Sequence, residues 1–176
     1  YGTGKLLYYL GSVDNWINFS SEVPTFDQSV NIDPEGAYVF HAVATDMRGF
    51  VQNARNGTKF AIANAELRWP VFRYFVNRPL NSSFLNNFQI VGFADLGSAW
   101  SGLSPWEKDN AYNTEIIDNY PVKVIVDKNR SPIIAGYGFG LRSKLFGYFI
   151  RTDWAWGIDS NVILPMVFYF SLSLDF

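Results

Sequence analysis

No cysteine occurs among the 176 residues, which excludes disulfides, thiolate catalysis and cysteine-ligated metals in one step. Histidine is reduced to a single residue, His41, so neither a histidine-based triad nor a zinc site is expected. A run of about 20 apolar residues, the length a spanning helix needs, is also missing. Basic residues form no stripe or tail: 14 lysines and arginines are dispersed among 16 acidic residues, for a net charge of −2. Nucleic acid is therefore not an expected partner. The chain opens at Tyr1 without an initiator Met or a signal peptide, and a processed or truncated product is expected. There is no repeat of fixed period, no low-complexity tract and no helical heptad. Gly136-x-Gly138-x-Gly140 is no dinucleotide fingerprint, because its period is two and no helical pattern follows it. Asp109, Glu115, Asp118 and Asp127 lack the ordered spacing of a calcium loop and read as a solvated surface. No cofactor, metal or catalytic constellation is expected, and the chain does not read as an enzyme.

What is present is fine alternation. Apolar residues make up 48% of the chain, yet mean hydropathy is only −0.01, which is compatible with apolar and polar residues taking turns. Aromatics reach 18%, more than a soluble core needs and suited to a membrane–water interface. The alternation is cleanest in Val167–Phe176, where Phe168, Phe170, Leu172, Leu174 and Phe176 share one face and Tyr169, Ser171, Ser173 and Asp175 the other. Ten residues of this kind match a strand crossing a bilayer at a tilt. Gly147–Gly157 sets Tyr148, Ile150, Thr152, Trp154 and Trp156 against Arg151 and Asp153. Ala135–Ser143 sets Tyr137, Phe139 and Leu141 against Gly136, Gly138, Gly140 and Arg142. Lys59–Trp69 places Asn64, Glu66 and Arg68 opposite its alanines, Leu67 and Trp69, and Phe88–Trp100 places Gln89, Asp95 and Gly97 opposite Ile90, Ala94 and Leu96. Gly4–Leu10 reads as a further strand.

These segments predict an all-β fold: an antiparallel transmembrane β-barrel of which residues 1–176 supply about six strands. The stretches Arg142–Gly147 and Asp159–Pro165 are short, whereas about 11–58 and about 101–132 are long. Short turns on one side and long loops on the other are the asymmetry of outer-membrane barrels. Within the long loops, Tyr38–Ala44 and Val122–Asp127 are candidate short strands. Six strands alone would leave unpaired edges in lipid, so the remaining barrel strands, or another chain, are expected partners. Trp100, Trp106, Trp154 and Trp156 read as interface anchors, with sugar platforms as the alternative.

Two features carry more specific meaning. The terminal aromatic preceded by apolar residues at every second position is similar to the β-signal of outer-membrane proteins, which is recognised by strand addition. Met47-Arg48-Gly49-Phe50 lies in the first long loop, Glu66 and Asp95 fall on the polar faces of their strands, and three glycines clear room on a third. Met47–Phe50 resembles the Val-Arg-Gly-Phe/Tyr motif of the outer-membrane assembly-factor superfamily, the BamA- and TamA-like "bacterial surface antigen" barrels, with Met in place of the usual Val. Asn64–Pro70 resembles that family's Asn-x-Glu-Leu-Arg-x-Pro strand, and Phe93–Gly97 its Phe-x-Asp-x-Gly strand. Gly138–Arg142 resembles its Gly-x-Gly-Leu-Arg strand, and Arg151–Ala155 its Arg-x-Asp-x-Ala strand. Each motif is weak alone; five in the family's order, from about Leu10 to Phe176, are specific.

The resemblance implies a sixteen-stranded barrel in the bacterial outer membrane, of which this chain is the carboxy-terminal portion. It implies that the loop around Met47–Phe50 folds back into the lumen, where Arg48 meets Glu66 and Asp95. The implied role is insertion, assembly or translocation of outer-membrane proteins, with lipid, nascent outer-membrane proteins and assembly accessory proteins as partners. No POTRA-like module is recognisable in the chain, and alone it is not expected to act as an insertase. Two other classes remain open. A passive porin-like channel explains the alternation but not Arg48–Phe50 or the glycine face. A soluble lipocalin-like barrel predicts the inverse, with polar residues outside and apolar residues within.

Overall fold

A computed structural model describes residues 5–13, 16–20, 25–32, 38–44, 46–76, 81–107, 110–119 and 121–174. Along the chain these form β1 (Lys5–Leu10), β2 (Ile17–Ser20), β3 (Tyr38–Ala44), β4 (Arg55–Gly57) and β5 (Lys59–Trp69), then the short helices α1 (Val71–Phe75) and α2 (Ser83–Asn86). They continue with β6 (Gln89–Trp100), β7 (Thr114–Asn119), β8 (Val122–Asp127), β9 (Ile134–Leu145), β10 (Tyr148–Asp159), β11 (Val162–Ile163) and β12 (Val167–Leu174). The fold is all-β, and none of its three sheets closes on itself among the described residues.

The main sheet runs β2-β12-β10-β9-β6-β5, with β11 attached to β10, and all its pairings are antiparallel. Five of its strands are long and follow the alternating segments of the sequence closely. Two tight turns keep them in register. Phe146 (φ 50°) and Gly147 (φ 87°) join β9 to β10, and Ser160 (φ 49°) and Asn161 (φ 67°) join β10 to β11. Two consecutive left-handed residues make the two-residue turn whose twist matches that of paired strands. β7 and β8 form a separate hairpin within the second long loop.

The expected strand Gly4–Leu10 requires a correction. β1 does not join the main sheet but lies between β3, to which it is parallel, and β4, to which it is antiparallel. Leu6-Leu7-Tyr8-Tyr9-Leu10 is a continuous apolar run without alternation, the pattern of a strand covered on both faces. Leu7 and Leu10, although on opposite faces, are both fully buried. The long strands of the main sheet therefore number five, not six, among the described residues. The connections also differ from expectation. Segments 11–58, 101–133 and the short 160–166 share one end of the sheet, while 70–88, carrying α1 and α2, lies at the other with the Phe146–Gly147 turn.

The two faces of the main sheet have opposite chemistry. Outside, Leu67, Trp69, Ile90, Leu96, Tyr137, Phe139, Tyr148, Leu172 and Leu174 are exposed. An aromatic row crosses four strands on this face, with Phe139–Trp154 at 5.3 Å, Trp154–Phe168 at 5.2 Å and Phe168–Phe19 at 6.0 Å between centroids. Inside, register aligns three rows across the strands: Asn64, Asp95, Gly136 and Gly157; Glu66, Phe93, Gly138, Ala155 and Val167; Arg68, Val91, Gly140, Asp153 and Tyr169. The first long loop folds back against these rows. Met47, Phe50 and Ala54 pack there with Leu10, Ala44, Ala99 and Ile134 in one apolar cluster. Val13 joins Phe93, Ala155, Val167 and Tyr169 in a second. No helix among the described residues is long and apolar enough to cross a membrane, a statement that does not bear on strands.

Candidate functional site

The site is built where the folded-back loop meets the inner rows. Asp46 (φ 68°) and Gly49 (φ 87°) are both left-handed and turn the chain sharply on either side of Met47 and Arg48. Glycines on the sheet let that turn lie flat. A Cβ on Gly136 would collide with the carbonyl oxygen of Arg48, and one on Gly157 would meet the Phe50 ring at 2.8 Å and the Gly49 carbonyl oxygen at 2.5 Å. Gly138 leaves space for the Phe93 ring, 2.7 Å from its would-be Cβ, and Gly140 leaves space for the Asp153 carboxylate. Of the three glycines read as clearing one face, only Gly136 makes room for the loop itself.

Arg48, 6% exposed, reaches both acidic residues named from the sequence. Its Nε and Nη2 donate to the two carboxylate oxygens of Asp95, each at 2.7 Å, and Nη1 donates to Glu66 Oε1 at 2.5 Å. The backbone N–H of Arg48 adds a longer bond to Asp95 at 3.3 Å. The planar guanidinium fork suits this bidentate grip in a way an ammonium does not. Burial works against the charged form, but the hydrogen bond and charge of Asp95, then those of Glu66, outweigh it and hold the Arg48 pKa above its ordinary value. The result is a cation that stays charged while shielded from water.

Several further residues complete this network, among them Arg142, named with the glycine face, and Phe93 and Asp153, which fall within the quoted sequence motifs without being assigned there to Arg48. The guanidinium carbon lies 3.7 Å from the centroid of the Phe93 ring, a cation–π contact strengthened by desolvation. Fully buried Asp153 approaches Arg48 Nη1 at 3.7 Å and accepts two bonds from Arg142, at 2.5 and 2.9 Å. Glu66 is shared with Arg68, and the Asn64 amide donates to both Asp46 O and Asp95. Buried Tyr169 clamps the turn from the other side: its hydroxyl accepts from Gly49 N at 3.1 Å and donates to Phe50 O at 2.6 Å. Alternation sets Asp153 and Tyr169 on the polar faces of their strands but does not say which groups they meet.

A second arginine, Arg55, carried no sequence signal. It is fully buried and bonded to both Asp159 oxygens at 2.5 and 3.0 Å, and it also donates to Ser131 O. Its guanidinium faces the ring of Tyr112 at 5.2 Å. Arg55 thereby joins three segments that emerge at the same end of the sheet.

The remaining sequence-named residues are distributed as follows. Met47 is fully buried among apolar neighbours, and Phe50 lies beside it. Phe168, Phe170, Leu172 and Leu174 share the outer face of β12, whereas Phe176 falls outside the described residues. Lone His41 bonds to the Tyr9 hydroxyl at 2.6 Å and stacks on its ring. A cavity of about 410 Å³ opens beside Arg48, bounded in part by Trp16, Arg68, Gln89, Arg142 and Arg151. Among the described residues no group of side chains is arranged to hold a metal. The chemistry of the site is holding: paired charges and clamped carbonyls fix a loop to a wall. Comparison with known proteins finds no matching family model, no similar curated protein and no similar solved structure.

Proposed function

We propose that this chain is the carboxy-terminal wall of an outer-membrane β-barrel related to the assembly-factor superfamily, acting in the insertion, assembly or translocation of outer-membrane proteins. The observation that carries the proposal is Arg48, held by Asp95 and Glu66 on the charged inner face of a sheet whose outer face is apolar. A charged interior behind an apolar exterior is the inverse of a water-soluble barrel and suits strands set in lipid. The family resemblance rests on the residues of the chain itself, with the motif arginine and both acidic partners in mutual contact. The aromatic row then lies on the lipid-facing side of the wall, and the open outer edge of β5 meets a further strand of the barrel. With the loop locked inside, the wall is braced while the seam beside β12 stays the weaker join. A passive channel gives no role to a loop secured by so many charge-assisted bonds.

Arg48→Ala in the intact protein tests this. The expected outcome is a lower temperature for the heat-induced mobility shift on a gel, together with impaired assembly of cargo proteins in cells. Unchanged heat-modifiability with normal cargo assembly contradicts the proposal. Loss of the loop lock with normal assembly and a new ion conductance points instead to a passive channel.

A further inference from the structure

The cavity beside Arg48 lies between the folded-back loop and the inner face of the wall, and this chain supplies both. Toward the α1–α2 end its lining turns basic. Register sets Gln89, Arg142 and Arg151 in one inward row, next to the row of Arg68 and Asp153. Arg142 and Arg151 are direct cross-strand partners of like charge, an arrangement that repels. Trp16 faces them from the loop side, its ring centroid 5.1 Å from the Arg142 guanidinium carbon.

The carboxylates of the neighbouring rows are already engaged. Both oxygens of Asp153 accept from Arg142, and Glu66 is divided between Arg48 and Arg68. Arg151 is exposed to the cavity and makes no hydrogen bond or ion pair among the described residues. Arg68 donates to Glu66 through Nε at 3.0 Å and Nη2 at 2.7 Å, which leaves Nη1 without an acceptor among the described residues. The same holds for Nε of Arg142 and for the side-chain amide of Gln89. Unused donors from β5, β6, β9 and β10 thus line one end of a single cavity.

We infer that this end of the cavity binds a phosphate group, with Arg151 as its anchor and Arg68, Arg142 and Gln89 as further donors. A phosphate carries about 1.5–2 negative charges at neutral pH and three acceptor oxygens that point apart, which suits donors arriving from four strands. A carboxylate holds its acceptors in one plane and is satisfied by a single guanidinium fork, as Asp153 is by Arg142. The cavity volume of about 410 Å³ falls within the range of small-molecule sites, about 300–1,000 Å³. It admits a phosphate bearing a modest organic group. The bound anion neutralises the Arg142–Arg151 pair. Because the site lies on the face opposite the apolar one, its ligand is a soluble phosphate compound. The inference needs only the loop and the wall of this chain and does not depend on the assembly role.

The test is calorimetric titration of the intact protein, in a detergent without phosphate, with inorganic pyrophosphate. Ionic strength is held fixed, because salt screens exposed charges. The inference predicts one saturable site per chain and binding weakened about tenfold or more by Arg151→Gln, the order of a lost hydrogen bond to a charged group. Arg151 makes no bond that the fold needs, so unchanged heat-modifiability is expected to show that the variant is folded. Arg151→Lys keeps the charge without the fork and is expected to bind with intermediate strength. Arg73→Gln, which removes an exposed arginine of α1 outside the cavity, is expected to bind as the native protein does. Absence of saturable binding overturns the site, as does undiminished binding by Arg151→Gln or equal weakening by Arg73→Gln. Citrate binding more tightly than pyrophosphate overturns the phosphate assignment in favour of a carboxylate. Repeating the titration in phosphatidylglycerol vesicles separates the sources. Binding that persists there supports a soluble phosphate compound, and binding abolished there assigns the phosphate to a lipid headgroup and overturns the soluble source.

Discussion

Arg48 is an ion that the fold cannot easily lose, because Asp95 is buried with it. Removing one member of a buried pair leaves the other charge uncompensated, at about 3–5 kcal/mol. Arg48→Ala is expected to destabilise the folded barrel by that order, measured by urea titration of the intact protein in detergent. Arg48→Lys keeps the charge but not the fork, and its loss is expected to be smaller yet clear. Combined with Asp95→Ala, the two losses are expected to fall well short of additive, as for residues in direct contact. Full additivity would mean that the pair does not hold the loop. Gly136 offers a different probe. Gly136→Ala drives a Cβ into the Arg48 carbonyl oxygen and is expected to cost about 1–3 kcal/mol, while Gly92→Ala meets nothing within 4 Å and serves as its silent control. Glu66 and Asp95 were legible as inward-facing because alternation assigns both carboxylates to the polar faces of their strands, whereas their pairing with Arg48 was implied only by the resemblance of Met47–Phe50 to a family motif. Phe93 shares the parity of Asp95 and was passed over because an aromatic residue suits the outer face equally well. Arg55 was not legible: its partners come from the second long loop and the end of β10, and nothing periodic links them.

At the level of elements, Arg55 makes a prediction separate from that of Arg48. Asp159 lies at the end of β10 and Ser131 in the second long loop, so Arg55→Ala is expected to free segment 101–133 and leave the Arg48 contacts intact. Limited proteolysis should then cut that loop faster, with little change in the heat-modifiability of the barrel; equal cutting in variant and native protein would remove Arg55 from this role. The five long strands were readable to within a few residues, because each has two different faces. β1 was misassigned for the converse reason. Its apolar run has no alternation, so the sequence marks it as a strand without saying which sheet it joins. The parallel pairing of β1 with β3 brings together residues more than thirty positions apart, such as Leu10 and Ala44, a long-range choice that local propensity does not make. The strand β2 was hidden inside a loop by its brevity.

At the scale of the whole molecule, the account depends on which way the sheet faces. Its outer side offers a broad apolar surface, β5 has an open edge among the described residues, and the β12 edge is half covered. In water such a sheet is prone to edge pairing and aggregation; in lipid, with its edges joined to further strands, it is satisfied. The chain expressed alone is therefore expected to require detergent to stay dispersed, and a monodisperse, folded, detergent-free monomer in analytical ultracentrifugation would speak against a membrane wall. Environment mapping by spin label reads the facing directly. Single cysteines at Leu67, Phe139 and Leu172, and at Arg68, Gln89 and Arg151, which line the cavity on the opposite side, are labelled in the intact protein reconstituted in vesicles. Collision rates are then compared for oxygen, which concentrates in lipid, and for a water-soluble nickel chelate. The account predicts that the first three labels collide mainly with oxygen and that the second three do not. The same accessibility on both sides, or oxygen preference on the side of Asp95 and Asp153, would contradict it.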